Sequence, residues 1–413
     1  MESLSEKLSF TIAVQHAGGV ATGLLLYKAV GRTGAPRWLG LLPAAIVFFG
    51  GTGLLLEHAL LADSLLSFLQ ALSIYFAIRA LYDRRLRWPL LAGIAIGFSV
   101  WIKIDAISNA ILIPIVLFCA TPGGVRRKLL NALPVSIAVV GMIAAYVGAQ
   151  YYSTGYLGYA RQGPWALYGR VVTFVDCSKF TPPTGTRFLC PPEPLGHRAS
   201  QDYYEFAPTA PAVKRFGPSY DQTPSANTLL QEFSVAAIEH EPGAYAEAVA
   251  GGLGRYVFPR GGEGNTPQQL REQLLTPVYA QAYRRVFDRL YTGDHSYSGS
   301  ATQIRPLVQY ESYTSVQGPL LIFLLALAIA GPFCLPRKMR WAAGLFTLTA
   351  LASITFAVAT DGYDARYAYP TFGPLAAGAA LGLWGIRLRL VDVIRRRRSL
   401  VESEISLDPS RTA

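Results

Sequence analysis

Glu57, His58 and Asp63, in the stretch EHALLAD, set two carboxylates and an imidazole side by side between two apolar runs. Such groups can take a proton from a hydroxyl nucleophile, or hold a cation against a phosphate leaving group. The plainer alternative is that a short loop prefers polar residues. Further on, WIKIDA places Lys103 and Asp105 at the turn between two short apolar runs. An ammonium there can receive the phosphate of a lipid-linked donor as a point charge; a simple Lys103–Asp105 pair or a snorkelling lysine is the alternative. The stretch DGYDARYAYP (361–370) adds Arg366 and Tyr367. Arginine grips phosphate bidentately, unless Arg366 only pairs with Asp361 or Asp364. In LYGR (167–170), Tyr168 and Arg170 either face a sugar or phosphate or pack a domain onto its neighbour. Gln15 and His16 read as interhelical hydrogen-bond partners. No C-x-x-C, His-rich run or other metal-ligand spacing occurs; a divalent cation at the carboxylates is a candidate cofactor.

These residues must be carried by membrane segments. Of the 413 residues, 51% are hydrophobic and 15% charged, against about 25% charged in soluble domains. The apolar residues gather in runs near 8–30, 38–56, 60–80, 89–103, 105–120, 129–151, 317–335, 341–360 and 369–386. A crossing needs about 20 predominantly apolar residues, so the fourth and fifth runs are expected as short helices going up and back. The fold class expected is an all-α polytopic membrane bundle of about nine apolar segments, with one mixed, irregular extracytoplasmic domain. Ionisable residues at the ends of such segments are costly to place, and each is therefore a functional candidate.

The net charge of +11 belongs to one side of that bundle. The short connections 28–37, 79–87, 126–128, 337–340 and the tail from 387 hold twenty Lys or Arg; those on the other side hold only Lys7, Lys103 and Arg366. This asymmetry makes the basic side cytoplasmic and the C-terminus internal. The long loop is neutral, with fourteen basic and fourteen acidic residues, so no nucleic-acid footprint is present. The expected organisation is an N-terminal bundle over 1–151, an extracytoplasmic domain over 152–316, transmembrane helices over 317–390 and a disordered cytoplasmic tail over 391–413. Within the large loop, helical patterns fall at about 225–240, 242–256 and 276–291, after a Pro-rich stretch (181–198) that blocks long elements. Cys177 and Cys190 lie in this exported loop, where an oxidising compartment favours a disulfide; Cys119 and Cys334 read as small buried residues at cytoplasmic ends.

The run VQH…GLLLYKAVGRTGAPRWLGLLPAAIVFF…EHALLADSLLSFLQALSIYFAIRAL…LLAGIAIGFSVWIKIDA resembles the bacterial branch of the GT-C membrane glycosyltransferases, related to protein mannosyltransferases and aminoarabinose transferases. The likeness continues through LYGRVVTFVDC…LCPP and DARYAYP. It implies a polyprenyl-phosphate sugar donor, an extracytoplasmic acceptor and inverting displacement in the cell membrane. By the same resemblance Asp63 is the second outer-loop acid, with Glu57 and His58 beside it as catalytic candidates. Lys103, Arg366 and Arg170 are the donor-phosphate ligands, and Asp105, Tyr168 and Tyr367 contact substrate. Members of that class begin with a further helix and an outer loop bearing the principal carboxylate. The sequence here starts where that loop should end, and Glu2 and Glu6 do not replace its motif. The expectation is therefore a fragment, a mis-started reading frame or a member without that base.

Three other readings compete. A transporter of lipid-linked sugars would show broken helices with midplane polar residues and paired halves. A degenerate relative would act as a membrane scaffold. A lipid-linked polysaccharide ligase or polymerase shares the multi-helix bundle with one large exported loop.

Overall fold

The computed structural model describes residues 8–58, 61–83, 85–155, 157–159, 162–217, 223–258, 268 and 301–407. The described residues are 81% helical, and no strand occurs among them. The bundle opens with α1 (Leu8–Gly31), α2 (Leu41–Phe49), α3 (Gly51–His58), α4 (Asp63–Asp83), α5 (Arg87–Ile102), α6 (Ile107–Ala120) and α7 (Val125–Thr154). Then come the short helices α8 (Gly163–Val171), α9 (Gln201–Phe206) and α10 (Pro211–Phe216), followed by α11 (Pro224–His240) and α12 (Pro242–Val257). After α13 (Ala301–Thr314) the chain returns to the bundle as α14 (Pro319–Cys334), α15 (Arg337–Thr360) and α16 (Tyr369–Leu407). The helical pattern at 276–291 lies outside the described residues, as do Glu2, Glu6 and Lys7.

All nine apolar segments fall on helices. Four of these helices are long and apolar enough to cross a membrane, or up to six if each bent pair is one span. Segment 38–56 is two helices rather than one: the chain bends by 45° where Gly50 leaves helical geometry (ψ 112°). Glycine is a poor helix former, and the bend is fixed from outside. The Gly51 amide donates to Thr314 Oγ1 (3.1 Å), and Thr52 Oγ1 donates to Glu311 Oε1 (3.0 Å). The outer part of α13 and α14 forms a second pair bent by 46°. Helix α5 and the apolar stretch Ile104–Ala120 are indeed short. The last helix continues through the four arginines to Leu407, past the boundary drawn at 390 from hydropathy; Arg and Glu are good helix formers even where nothing apolar is buried.

Helix α16 is the bundle's central post. Every residue from Tyr367 to Gly382 is buried, and Ala376, Ala377, Ala379 and Ala380 are fully so. Its small side chains admit neighbours closely: a Cβ on Gly382 would lie 2.0 Å from the Leu327 carbonyl oxygen of α14. Around it α1, α4, α5, α6 and α7 share one core, while α3, α12, α13 and α14 share another with α15 and α16.

The segment between α7 and α13 makes its own core from Trp165, Tyr168, Leu189, Tyr204, Leu230 and Phe233. This small domain is irregular, as expected, though its regular elements are all helical among the described residues. It docks on one end of the bundle. Tyr256 Oη donates to the Asp364 carbonyl (2.8 Å) and Tyr245 Oη to the Ala359 carbonyl (3.0 Å). Gly362 suits this docking: its φ is +102°, which L side chains rarely adopt, and a Cβ there would sit 1.6 Å from Gln201 Oε1 unless that side chain moved.

Candidate functional site

At the docked end, three helix junctions converge. Asp63 is the first residue of α4, where the positive end of the helix dipole favours a carboxylate. Lys103 interrupts the α5–α6 pair in an extended conformation (φ −154°, ψ 131°), and a single 3-10 turn, Ile104–Ala106, follows it. The third junction is the turn between α15 and α16. Its 3-10 helix Ala365–Ala368 is capped by Asp364, whose side chain accepts from the Arg366 amide (3.0 Å).

The junctions bring five of the predicted residues together. Lys103 Nζ lies 3.3 Å from Asp63 Oδ1 and 3.3 Å from Asp105 Oδ2. The same ammonium sits 3.7 Å from the Tyr367 ring centroid, a cation–π contact in a dry setting. Arg366 stands 5.3 Å from that ring, so Tyr367 joins the two cations. Arg366 Nε donates to Asp364 Oδ2 at 2.9 Å. The Tyr367 hydroxyl donates to Asp361, whose carboxyl is pushed up chiefly by burial. The pairings set out as alternatives to function, Lys103–Asp105 and Arg366–Asp364, thus both occur. They occur as parts of one cluster, because Asp63 also reaches Lys103 and Tyr367 lies between the cations. Removing one partner of such part-buried pairs would leave the other charge uncompensated, at more cost than the pair is worth.

The docked domain adds two acids that sequence reasoning missed. Glu205 on α9 accepts from the Gln162 amide, and burial, followed by the charge of Asp361, raises its pKa to about 8. Asp202, one turn earlier, is raised to about 6 by burial and by Asp364 and Asp361. Both also feel Arg366. The signal was a D-x-x-E spacing in QDYYEF, one acid pair among fourteen acids in that loop and indistinguishable from a solvated face.

Glu57 and His58 form a neighbouring group rather than part of the lysine cluster. Glu57 is buried and pairs with His16 Nδ1 across α1 and α3. His58 Nδ1 bonds the Leu54 carbonyl (2.8 Å), and its ring meets His16 edge-on at 4.8 Å. His16 is an interhelical partner as expected, through Glu57, whereas Gln15 Nε2 donates to the Leu61 carbonyl (2.9 Å) in the connection that leads into Asp63.

The remaining candidates lie elsewhere. Tyr168 is wholly buried in the small domain's core, its hydroxyl donating to the Leu189 carbonyl (2.9 Å) and its ring packed on Phe233. Its phenol is therefore spent on structure. Arg170 is buried beside Gly252 and exerts its charge on Tyr245, where the small domain meets α15. Cys177 and Cys190 are joined by a disulfide under that same core. Among the described residues, no three His, Cys, Asp or Glu side chains are grouped to hold a metal ion.

Residues 6–149 match the family described as dolichyl-phosphate-mannose-protein mannosyltransferase. The match covers about a third of the chain and contains Glu57, His58, Asp63, Lys103 and Asp105, but not Arg366 or Tyr367. No curated protein and no solved structure matches the chain.

Proposed function

We propose that this chain is a membrane glycosyltransferase that moves a sugar from a polyprenyl-phosphate donor to an acceptor on the extracytoplasmic face. The observation that carries the reading is Lys103, held by Asp63 and Asp105 and joined to Arg366 through the Tyr367 ring. Two cations at one end of an apolar bundle suit a phosphate whose lipid tail stays in the bilayer. The family match over 6–149 supports the same chemistry.

In the proposed reaction the acceptor's nucleophilic atom forms a bond to the anomeric carbon as the bond from that carbon to the phosphate oxygen breaks. The electron pair leaves with the polyprenyl phosphate, and Lys103 and Arg366 stabilise the charge that develops on it. The acceptor's proton passes to a carboxylate, a role assigned to Asp63. Glu57, with His16 as its partner, stands as the second carboxylate of the site. Asp105 and Tyr367 orient the lysine, so they act on substrate through it. Arg170 and Tyr168 have no part in this scheme.

The test uses the full chain in lipid nanodiscs with a panel of polyprenyl-phosphate sugars, and follows both lipid consumption and new glycosidic bonds. Asp63→Asn is expected to abolish transfer by a folded protein, and Lys103→Ala to weaken capture of undecaprenyl phosphate. Transfer retained in both variants overturns the assignment. Donor movement across vesicles without a new glycosidic bond selects the transporter reading instead.

A further inference from the structure

Beneath the lysine cluster, inside the bundle, lies a polar triad that the scheme above does not use. Gln70 Nε2 of α4 and Asn109 Nδ2 of α6 both donate to Ser353 Oγ of α15, each at 2.9 Å. All three residues are buried, and Gln70 and Ser353 lie in segments long and apolar enough to cross a membrane. One hydroxyl therefore ties together three helices.

The register gives the triad its meaning. Gln70 lies two helical turns, about 10 Å, below Asp63 on the same face of α4. Asn109 lies about one turn below Asp105. Ser353 precedes the turn that carries Asp361, Asp364 and Arg366. Helix α4, which presents Asp63, and α6, which continues from the turn that presents Asp105, are thus both tied to α15 within about two turns of those carboxylates. We propose that Gln70, Asn109 and Ser353 form a positioning network that holds Asp63 and Asp105 at bonding distance from Lys103.

Ordinary interhelical glue explains the triad less well. Hydrogen bonds between helices in a bilayer contribute little each, since the separated helices also find partners. Asn109 Oδ1 is moreover buried without a hydrogen-bond partner, an expense that an apolar residue of the same size would avoid. Buried polar contacts that gain little stability can still fix one arrangement against its alternatives. The arrangement fixed here is a two-carboxylate grip, which a sliding α4 or α6 would release.

The grip can be read without any substrate. The full-length protein in detergent is treated with a water-soluble amine-acylating reagent, and modification is followed by mass spectrometry at Lys103, with exposed Lys179 as the internal reference. Ser353→Ala removes both bonds and is expected to speed acylation of Lys103 roughly eightfold, the factor that losing two interhelical hydrogen bonds of about 0.6 kcal/mol each makes in an opening equilibrium, with Lys179 unchanged. Ser353→Thr keeps the hydroxyl and should restore the slow rate. Gln70→Met, close in shape but without the donor, is read in the same way should Ser353→Ala fail to fold. An unchanged Lys103 rate in a folded variant overturns the network. The network's bearing on donor binding rests on the functional reading above, and undecaprenyl phosphate binding provides a separate arm. A wild type that binds no such lipid defeats that reading, while the acylation rates still decide the network.

Discussion

At the scale of single residues, the site is governed by charge placed where water is scarce. Several acids crowd Lys103 and Arg366, and two of them hold their protons more tightly than usual because they are buried. Glu205, near 8, and Asp202, near 6, are the ones reached from the docked domain. A carboxyl whose folded pKa lies above its ordinary 4.5 binds its proton more tightly when folded. For Glu205 the protein therefore loses stability as pH rises from about 4.5 to about 8, and the loss levels off above that. Glu205→Gln should raise the melting temperature at pH 9 and leave it nearly unchanged at pH 4, as measured by thermal unfolding in detergent. An equal effect at both values would mean that Glu205 titrates normally. The same ionisation adds negative charge beside Arg366, so polyprenyl phosphate binding should weaken above pH 8 in the wild type and not in Glu205→Gln.

Elements act here mainly by where they stop. The extended Lys103 between α5 and α6 turns a hydropathic run of 89–120 into two short helices with their polar join at the site. The Gly50 bend redirects α3 so that Glu57 meets His16 of α1. The turn between α15 and α16 depends on Gly362, whose positive φ admits few other residues. Gly362→Ala should be strained by about 1–2 kcal/mol from its backbone alone, and should also push Gln201 off the turn. The expected outcome is faster proteolysis of the 157–258 region with the bundle intact. Unaltered proteolysis would show that α9 does not seat on that turn. The disulfide closes a short loop in the same domain, where staples of this kind typically contribute about 3 kcal/mol.

At the scale of the whole molecule, the proposed activity requires that the docked domain and the lysine cluster share the extracytoplasmic side. The charge asymmetry of the short connections argues for this. Cys119 and Cys334, expected as buried, are exposed and half-buried where α6 and α14 end away from the cluster, and they provide two native probes. In intact cells a membrane-impermeant thiol reagent should label a cysteine placed at exposed His197 and should spare Cys119 until the membrane is opened. The reverse pattern would invert the topology and put the site on the cytoplasmic face. The central burial of α16 makes a further demand on the assembly: its alanines and glycines let α14 and α15 close around it, and the 361–368 turn is carried at its head.

The sequence by itself determined which segments are apolar, which ends are basic and which stretches carry ionisable residues at their edges, because these follow from local composition and from the cost of burying charge. It also singled out Asp63, Lys103, Asp105, Arg366 and Tyr367, since a charge beside a membrane segment is conspicuous. Only the tertiary structure decided that these five meet, that Glu57 instead turns to His16, and that Tyr168 spends its hydroxyl on the Leu189 carbonyl. It alone brought Asp202 and Glu205 over the 361–366 turn and drew Gln70, Asn109 and Ser353 together. The physical reason is distance along the chain. Hydropathy reports each residue's preference for lipid or water, whereas a contact such as Gln70 to Ser353 joins residues 283 positions apart and is fixed by how helices pack, which no local pattern encodes.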